Sequence, residues 1–402
     1  MSEMRHSAAF PSSDPMAVQD APPVNSPRRA RILHLHGGNL YGGVETFLAT
    51  LANLRHLCST LESDFGLCYE GRLSGELRAA GVAVYPLGGV RISRPWTVWS
   101  ARRRLSELLG RKRYDAVICH QHWPMVIFGP AVRAAGQKLI FWAHNYNSGS
   151  NWLERAARRI RPDLAIADSH FVASSMAHLY PGVPAPVIYY PVALVDAPES
   201  PAWRASARRE QGVDDSTVVI IQVSRFEPWK GHLLHLDALA RLKSRNWVCW
   251  IVGGPQNPAN SRLYDEVRRR AEELGLRERV RFLGQRSDVP RLLAGADIFC
   301  QPNQGPEPFG IVFVEALWAG LPAVTTAMGG AVEIVDESCG LLSEPGNPDD
   351  LSRALDCLIE SSELRSRLGK NGPARARLLC DPAEQMRALE SSIRQLVSSE
   401  AI

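Results

Sequence analysis

Two residue pairs in the second half of the chain have types and spacings suited to chemistry. Arg225 and Lys230 lie five apart in Val223-Ser224-Arg225-Phe226-Glu227-Pro228-Trp229-Lys230-Gly231. A planar guanidinium fork and a compact ammonium, set where a strand ends, can together grip a diphosphate. Taken alone they would also pass as two surface cations. Glu307 and Glu315 lie eight apart in Glu307-Pro308-Phe309-Gly310-Ile311-Val312-Phe313-Val314-Glu315. Pro308 biases Glu307 toward an extended loop, and Glu315 falls about one and a half turns into the helix that follows. Among Val314, Ala316 and Leu317 an unpaired carboxylate is costly, and the vicinal hydroxyls of a ribose would satisfy it. The N–H groups at the start of that helix favour a phosphate.

Four further segments are weaker. Gly37-Gly38-Asn39-Leu40-Tyr41-Gly42-Gly43-Val44-Glu45 is neither a dinucleotide fingerprint nor a P-loop, since no Gly-Lys-Ser/Thr follows. Its glycines allow close backbone approach, and the helix start behind them favours an anion. A tight turn without a ligand reads equally well. Met328-Gly329-Gly330-Ala331-Val332-Glu333 is a second glycine turn of this kind. Phe141-Trp142-Ala143-His144 is an apolar run ending in a histidine, which is more often structural than functional. His120 and His122 would share one face of an extended segment as a metal pair, but no nearby carboxylate or cysteine completes a set.

The elements that must position these residues alternate. Apolar runs at 31–36, 65–69, 82–87, 116–119, 139–143, 164–167 and 187–190 read as strands, with helical periodicity between most of them. A second series follows at 217–223, 248–252, 280–283, 298–301 and 323–325, with helices at 264–274 and 310–319 among the intervening segments. From Pro348 the chain reads as helical, broken near 369–373 and 381–382. This is an α/β pattern of two Rossmann-like domains whose parallel sheets face a central cleft, with ligands outside the carboxyl ends of the strands. The expected divisions are a disordered tail at 1–29, a first domain at 30–195, a linker at 196–212 and a second domain at 213–382. The closing helix at 383–402 is a candidate to pack back on the first domain.

Composition narrows the classes. An apolar share of 45% supplies two cores. The eight cysteines are scattered with no CxxC spacing, which argues against a zinc ribbon or redox pair and suits a reducing compartment. No apolar run reaches the ~20 residues of a membrane span, and the Pro- and Ser-rich start lacks a signal peptide's apolar core. Residues 30–190 hold 18 Lys/Arg against 10 Asp/Glu, a net +8; residues 191–402 hold 25 against 29, a net −4. The densest basic stretch runs from Arg91 through Arg94, Arg102, Arg103, Arg104, Arg111 and Lys112 to Arg113, with Trp96, Val98, Trp99 and Leu105 as apolar anchors. It would suit peripheral contact with an anionic membrane, or simply a solvated helix face. No aromatic-interleaved basic motif points to nucleic acid.

In order, GGVE, the strand-end histidine, SRFEPWKGH, the strand end at Gly284, EPFGIVFVEALWAGLPAV and GGAVEIV resemble the retaining GT-B glycosyltransferases of family 4, the glycogen-synthase-like superfamily with its E-x7-E signature. The resemblance covers roughly residues 31–380, tighter in the second half. It implies transfer of a sugar from a nucleotide-diphosphate-sugar to a glycan, lipid or small-molecule acceptor, with retention and without a metal or other cofactor. By that resemblance Arg225 and Lys230 hold the diphosphate, and Glu315 the ribose. Phe309, Gly310, Ile311 and Val312 lie along the phosphates. Gly42 and Gly43 close over the donor from the first domain, and Glu307 and His144 contact the transferred sugar. The reaction would run on one face of the sugar, the leaving phosphate helping to deprotonate the acceptor. Residues 285–288, after Gly284, are expected to meet the base. Ser224 and Phe226 replace a more usual Gly and Leu, and Trp229 is bulky, which puts donor identity in question. The expected location is cytoplasmic, with the basic stretch a candidate contact for the inner face of the membrane. The alternatives are a noncatalytic nucleotide-binding protein, or an epimerase or phosphorylase, on the same fold.

Overall fold

The computed structural model describes residues 29–38, 41–192, 201–255 and 257–398. Nearly all of the expected tail, residues 39 and 40 of the glycine loop, part of the expected linker and the last four residues lie outside these. Two six-stranded parallel sheets organise the chain. The first contains β1 Ala30–His36, β2 Leu61–Leu67, β3 Val84–Pro86, β4 Ala116–His120, β5 Lys138–Ala143 and β6 Leu164–Ala167, in the order 3-2-1-4-5-6. The second contains β7 Val218–Val223, β8 Trp247–Val252, β9 Val280–Gly284, β10 Ile298–Gln301, β11 Ala323–Thr326 and β12 Gly340–Ser343, in the order 12-11-10-7-8-9. In both, the order reverses beside the first strand of the sheet, the topological switch point where α/β sheets open a crevice at their carboxyl ends. Several strands are buried on both faces, hence their near-continuous apolar sequences.

The halves meet over an apolar cluster that unites Phe47, Trp142 and Tyr190 with Phe309 and Phe313. Polar contacts close the seam. Ser169 Oγ donates to the Pro308 carbonyl at 2.6 Å. The Glu333 carboxylate accepts from the N–H groups of His170 and Phe171 at 2.9 and 2.7 Å and from the Tyr189 hydroxyl at 3.0 Å. The last helix, Pro382–Ser398, crosses back to the first domain, where the Met386 carbonyl accepts from the Cys58 thiol.

Three sequence expectations are corrected, and one strand was not expected. The stretch expected as linker contains the helix Pro201–Glu210, fastened to the second domain where Arg204 and Arg208 pair with Asp297 at 2.7 and 2.5 Å. Its Ala, Arg and Glu content is that of a good helix former despite the neighbouring Pro and Ser. Residues 187–190 make a single bridge, Val187 to Ala167, rather than a strand. β12 was missed because it is four residues long and begins with glycine. The break expected at 369–373 is absent. The helix Ser362–Cys380 runs through it, because Gly369 and Gly372 let it lie against the Gly320 and Leu317 carbonyls, where a Cβ would stand 2.2 and 2.4 Å from oxygen.

In the basic stretch, Trp96 and Trp99 are 66% and 64% exposed, whereas Leu105 is buried. Arg102 turns inward onto the carbonyls of Val126 and Ile127, whereas Arg104 reaches the Leu87 carbonyl and stays exposed. No helix among the described residues is long and apolar enough to cross a membrane.

Candidate active site

All eleven residues singled out from the sequence, Glu307, His144, Arg225, Lys230, Glu315, Gly42, Gly43, Phe309, Gly310, Ile311 and Val312, line one cavity of about 280 Å³ between the two sheets. A second cavity of about 460 Å³ adjoins it, sharing Gly42, Gly43, Val44, Asn145 and Arg225 and adding Tyr69, Gln121 and Trp123 from the first domain.

Glu307 is the most tightly held. It is 5% exposed, and its Oε2 receives Lys230 Nζ at 2.5 Å, Gln301 Nε2 at 3.1 Å and Asn303 Nδ2 at 3.2 Å. Its backbone is fixed by the second glycine turn: Gly329 forms a parallel bridge with it, and Gly330 N–H donates to its carbonyl at 2.6 Å. A Cβ on Gly329, at φ +66°, would stand 2.6 Å from Glu307 N and O. The close approach expected there of a ligand is therefore made by the backbone of Glu307.

Lys230 is equally confined, its Nζ 3.9 Å from the centre of the Trp229 ring. The bulky Trp229 thus forms a wall of the cation's site. Arg225 is 40% exposed at the side chain and pairs with Glu227 at 3.1 Å. The other two departures from the family pattern serve the interior: Phe226 is fully buried against His232, and Ser224 Oγ contacts His232 Nε2 at 3.2 Å.

Glu315 stands one turn into the helix Ile311–Trp318. No group among the described residues hydrogen-bonds its carboxylate, and burial pushes it up to about 7. Gly310 caps that helix at φ +96°, where a side chain would collide with Phe313. Phe309 is 1% exposed and packs on Tyr189 and Tyr190, so only its backbone can face a ligand.

In the first domain, Gly42 precedes the helix Gly43–Asn53, and its N–H already donates to Glu45 Oε2 at 2.8 Å, so an anion here meets a carboxylate as well as amides. His144 is buried with both ring nitrogens engaged, Nδ1 by the Tyr190 hydroxyl at 2.5 Å and Nε2 by His120 Nδ1 at 2.9 Å. Burial holds its pKa well below the usual range, so it is neutral. To act on substrate as an acid or base, its ring would have to give up a protein partner. His120 and His122 do not share an extended face. Gln121, at φ +79° and ψ 173°, turns the chain so that His120 ends β4 and His122 opens a helix. This is a strained conformation for a residue other than glycine, at the edge of the larger cavity. No group of three or more His, Cys, Asp or Glu side chains among the described residues is placed to hold a metal ion. Residues 285–288 do not line the cavity; Arg286 there is tied to Asp288 and Glu210.

Sequence reasoning missed Asp168, which lines the cavity while 1% exposed with neither oxygen hydrogen-bonded among the described residues. Burial pushes its carboxyl up to about 8. The available signal was an ionisable residue just after an apolar strand, at a carboxyl end that faces the crevice.

Comparison with known proteins agrees with this architecture. Residues 41–194 match the family model for Glycosyltransferase Family 4, and residues 204–375 that for Glycosyl transferases group 1. The chain is 28% identical to a D-inositol 3-phosphate glycosyltransferase of Corynebacterium glutamicum, over 76% of this chain and 79% of that one. It is 33% identical to the lipopolysaccharide glucosyltransferase WaaG of Escherichia coli, over 42% and 45%. The crystal structure of HepE from Anabaena in complex with UDP-glucose superimposes with a TM-score of 0.78 at 26% identity, covering 92% of this chain and 99% of that one. With two doubly wound domains, one shared cleft and both family models matched in sequence, the chain belongs to the GT-B glycosyltransferases of family 4.

Proposed function

We propose that this enzyme transfers a sugar from a nucleotide-diphosphate-sugar to a glycan, lipid or small-molecule acceptor with retention at the anomeric carbon and without a metal ion. The observation that carries the reading is the convergence of Lys230, Arg225, Glu307 and Glu315 on one small interdomain cavity beside the helix start at Gly310. Breaking the sugar–phosphate bond leaves positive charge on the sugar and negative charge on the diphosphate. Lys230, Arg225 and the helix-start amides stabilise the leaving group, fixed in place before the reaction begins. In the free enzyme Glu307 holds the Lys230 ammonium; an arriving diphosphate shares that cation and leaves Glu307 free to face the sugar. Glu315 then exchanges its unsatisfied burial for two ribose hydroxyls.

HepE, at 26% identity, was solved with UDP-glucose, which supports a nucleotide-sugar donor here. The larger cavity, with Tyr69 and Trp123 offering ring faces, is the acceptor's place. The test is release of nucleoside diphosphate from UDP-, GDP- and ADP-sugars by the pure protein in EDTA. At least one donor is expected to turn over at the same rate with and without chelator. Release that required Mn²⁺, or none from any donor, would contradict the reading.

A further inference from the structure

A buried row of polar side chains runs from the donor cavity into the first domain. Adjacent strands of the first sheet each contribute one polar side chain to a row: Ser63 on β2, His34 on β1, His120 on β4, His144 just past β5, then Tyr190 beside Asp168 just past β6. The links are continuous from Ser63 to Tyr190. Ser63 Oγ lies 3.3 Å from His34 Nε2, His34 Nδ1 lies 2.9 Å from His120 Nε2, and His120 Nδ1 lies 2.9 Å from His144 Nε2. His144 Nδ1 lies 2.5 Å from the Tyr190 hydroxyl and 4.0 Å from Asp168 Oδ2. The three imidazoles are 0–3% exposed, sheathed by Phe65, Phe47 and Trp142. One end opens on the donor cavity, which His144, Tyr190 and Asp168 line; the other reaches a separate cavity that Ser63 lines with Asp64 and Lys112.

A neutral imidazole carries one N–H. Each nitrogen–nitrogen link needs one donor and one acceptor, so the three rings must share a tautomer. Either all hold the proton on Nδ1, donating toward Tyr190, or all hold it on Nε2, donating toward Ser63. Ser63 and Tyr190 serve both polarities, because a hydroxyl both donates and accepts. Passing from one polarity to the other carries one proton along the row.

We infer that Ser63, His34, His120, His144 and Tyr190 form one proton relay between the donor cavity and the cavity beyond Ser63, its polarity biased by Asp168. The inference rests on the sugar-transfer reading. As the bond from C1 to the leaving phosphate oxygen breaks and the bond from C1 to the acceptor oxygen forms, the acceptor's O–H proton is released to the diphosphate. A terminal phosphate ionises again near pH 6, so at neutral pH most of that proton must leave a cleft that both domains close. In the Nε2–H polarity the relay takes it up at the Tyr190 end and releases one proton at Ser63, which leaves the row Nδ1–H until the rings turn back. Asp168 Oδ2 lies 4.0 Å from His144 Nδ1, so an ionised Asp168 favours the proton on Nδ1, and a protonated Asp168 removes that preference. The charged or titratable groups facing this end are His144 and Tyr190, Glu307 and Glu333 across the cleft, Glu45 from the helix Gly43–Asn53, and His36.

The test is ¹⁵N NMR of histidine-labelled protein without any donor, across pH 6 to 9. The wild type should show one shared tautomer for His34, His120 and His144, with all three changing together from Nε2–H to Nδ1–H as pH rises through about 8, where Asp168 titrates. Asp168→Asn should abolish that change. Mixed tautomers, independent changes, or a change that survives in Asp168→Asn would each overturn the relay. In turnover, His34→Phe should keep the donor KM and lower kcat by ~10-fold, at the weak end of proton-transfer effects; a wild-type kcat would count against it. The tautomer result stands whether or not a donor is turned over, so the relay and the transfer reading can fail separately.

Discussion

Glu307→Gln is expected to lower kcat by roughly 10²-fold or more while changing the donor KM little, the scale found for a fixed electrostatic group beside developing charge. Three donors, Lys230, Gln301 and Asn303, converge on Glu307 Oε2 and hold the carboxylate in place. Its interaction strengthens as the sugar becomes positive, so it acts in the transition state more than in the ground state. Glu315→Gln should behave differently. The ribose does not react, so its contact is uniform and the donor KM rises instead. Since burial pushes Glu315 up to about 7, the wild-type carboxylate is protonated below that pH and ionised above it. Its advantage over glutamine in KM should therefore grow as pH rises through 7. Steady-state kinetics of both variants from pH 6 to 8 decide this. Full kcat in Glu307→Gln, with kcat lost at constant KM in Glu315→Gln, would reverse the two roles.

The second large effect is at Lys230. Lys230→Ala should weaken nucleoside diphosphate binding by roughly 10- to 100-fold, from a charge-assisted contact of about 1.5–3 kcal/mol. It should also destabilise the fold by about 3–5 kcal/mol, because it strands Glu307, whose side chain is 7% exposed. Pairing it with Glu307→Gln separates the two consequences: Tm should recover in part, whereas diphosphate affinity should not. Arg225→Ala should lose affinity with little change in Tm, its side chain being 40% exposed. Unchanged affinity for UDP, GDP and ADP in both single variants would remove the segment from the site.

Much of this was legible in the chain because parallel strands and glycine turns impose strong local patterns. β6 and β10 fall where apolar runs bounded by polar residues place them, and the cleft residues sit at strand ends and helix starts, positions that topology assigns to binding. What escaped depends on partners distant in sequence. Gly329 and Gly330 read as a ligand turn, yet their neighbour is the backbone of Glu307. Glu333 read as part of the same turn, yet it bonds the N–H groups of His170 and Phe171 on the other domain. His120 and His144 read as separate histidines, and only the pairing of β4 with β5 joins them. The continuity of the helix Ser362–Cys380 through Pro373 likewise rests on close contact with a neighbouring segment, against its own helix propensity.

The central claim is retention in this cleft, and the anomeric configuration of the first-formed product tests it most directly. With whichever nucleotide α-sugar the enzyme consumes, ¹H NMR at early times in EDTA should show the α-linked product, or the α-hemiacetal where water is the acceptor, before any mutarotation. The same signal should be lost in Glu307→Gln. First appearance of the β configuration would contradict the account.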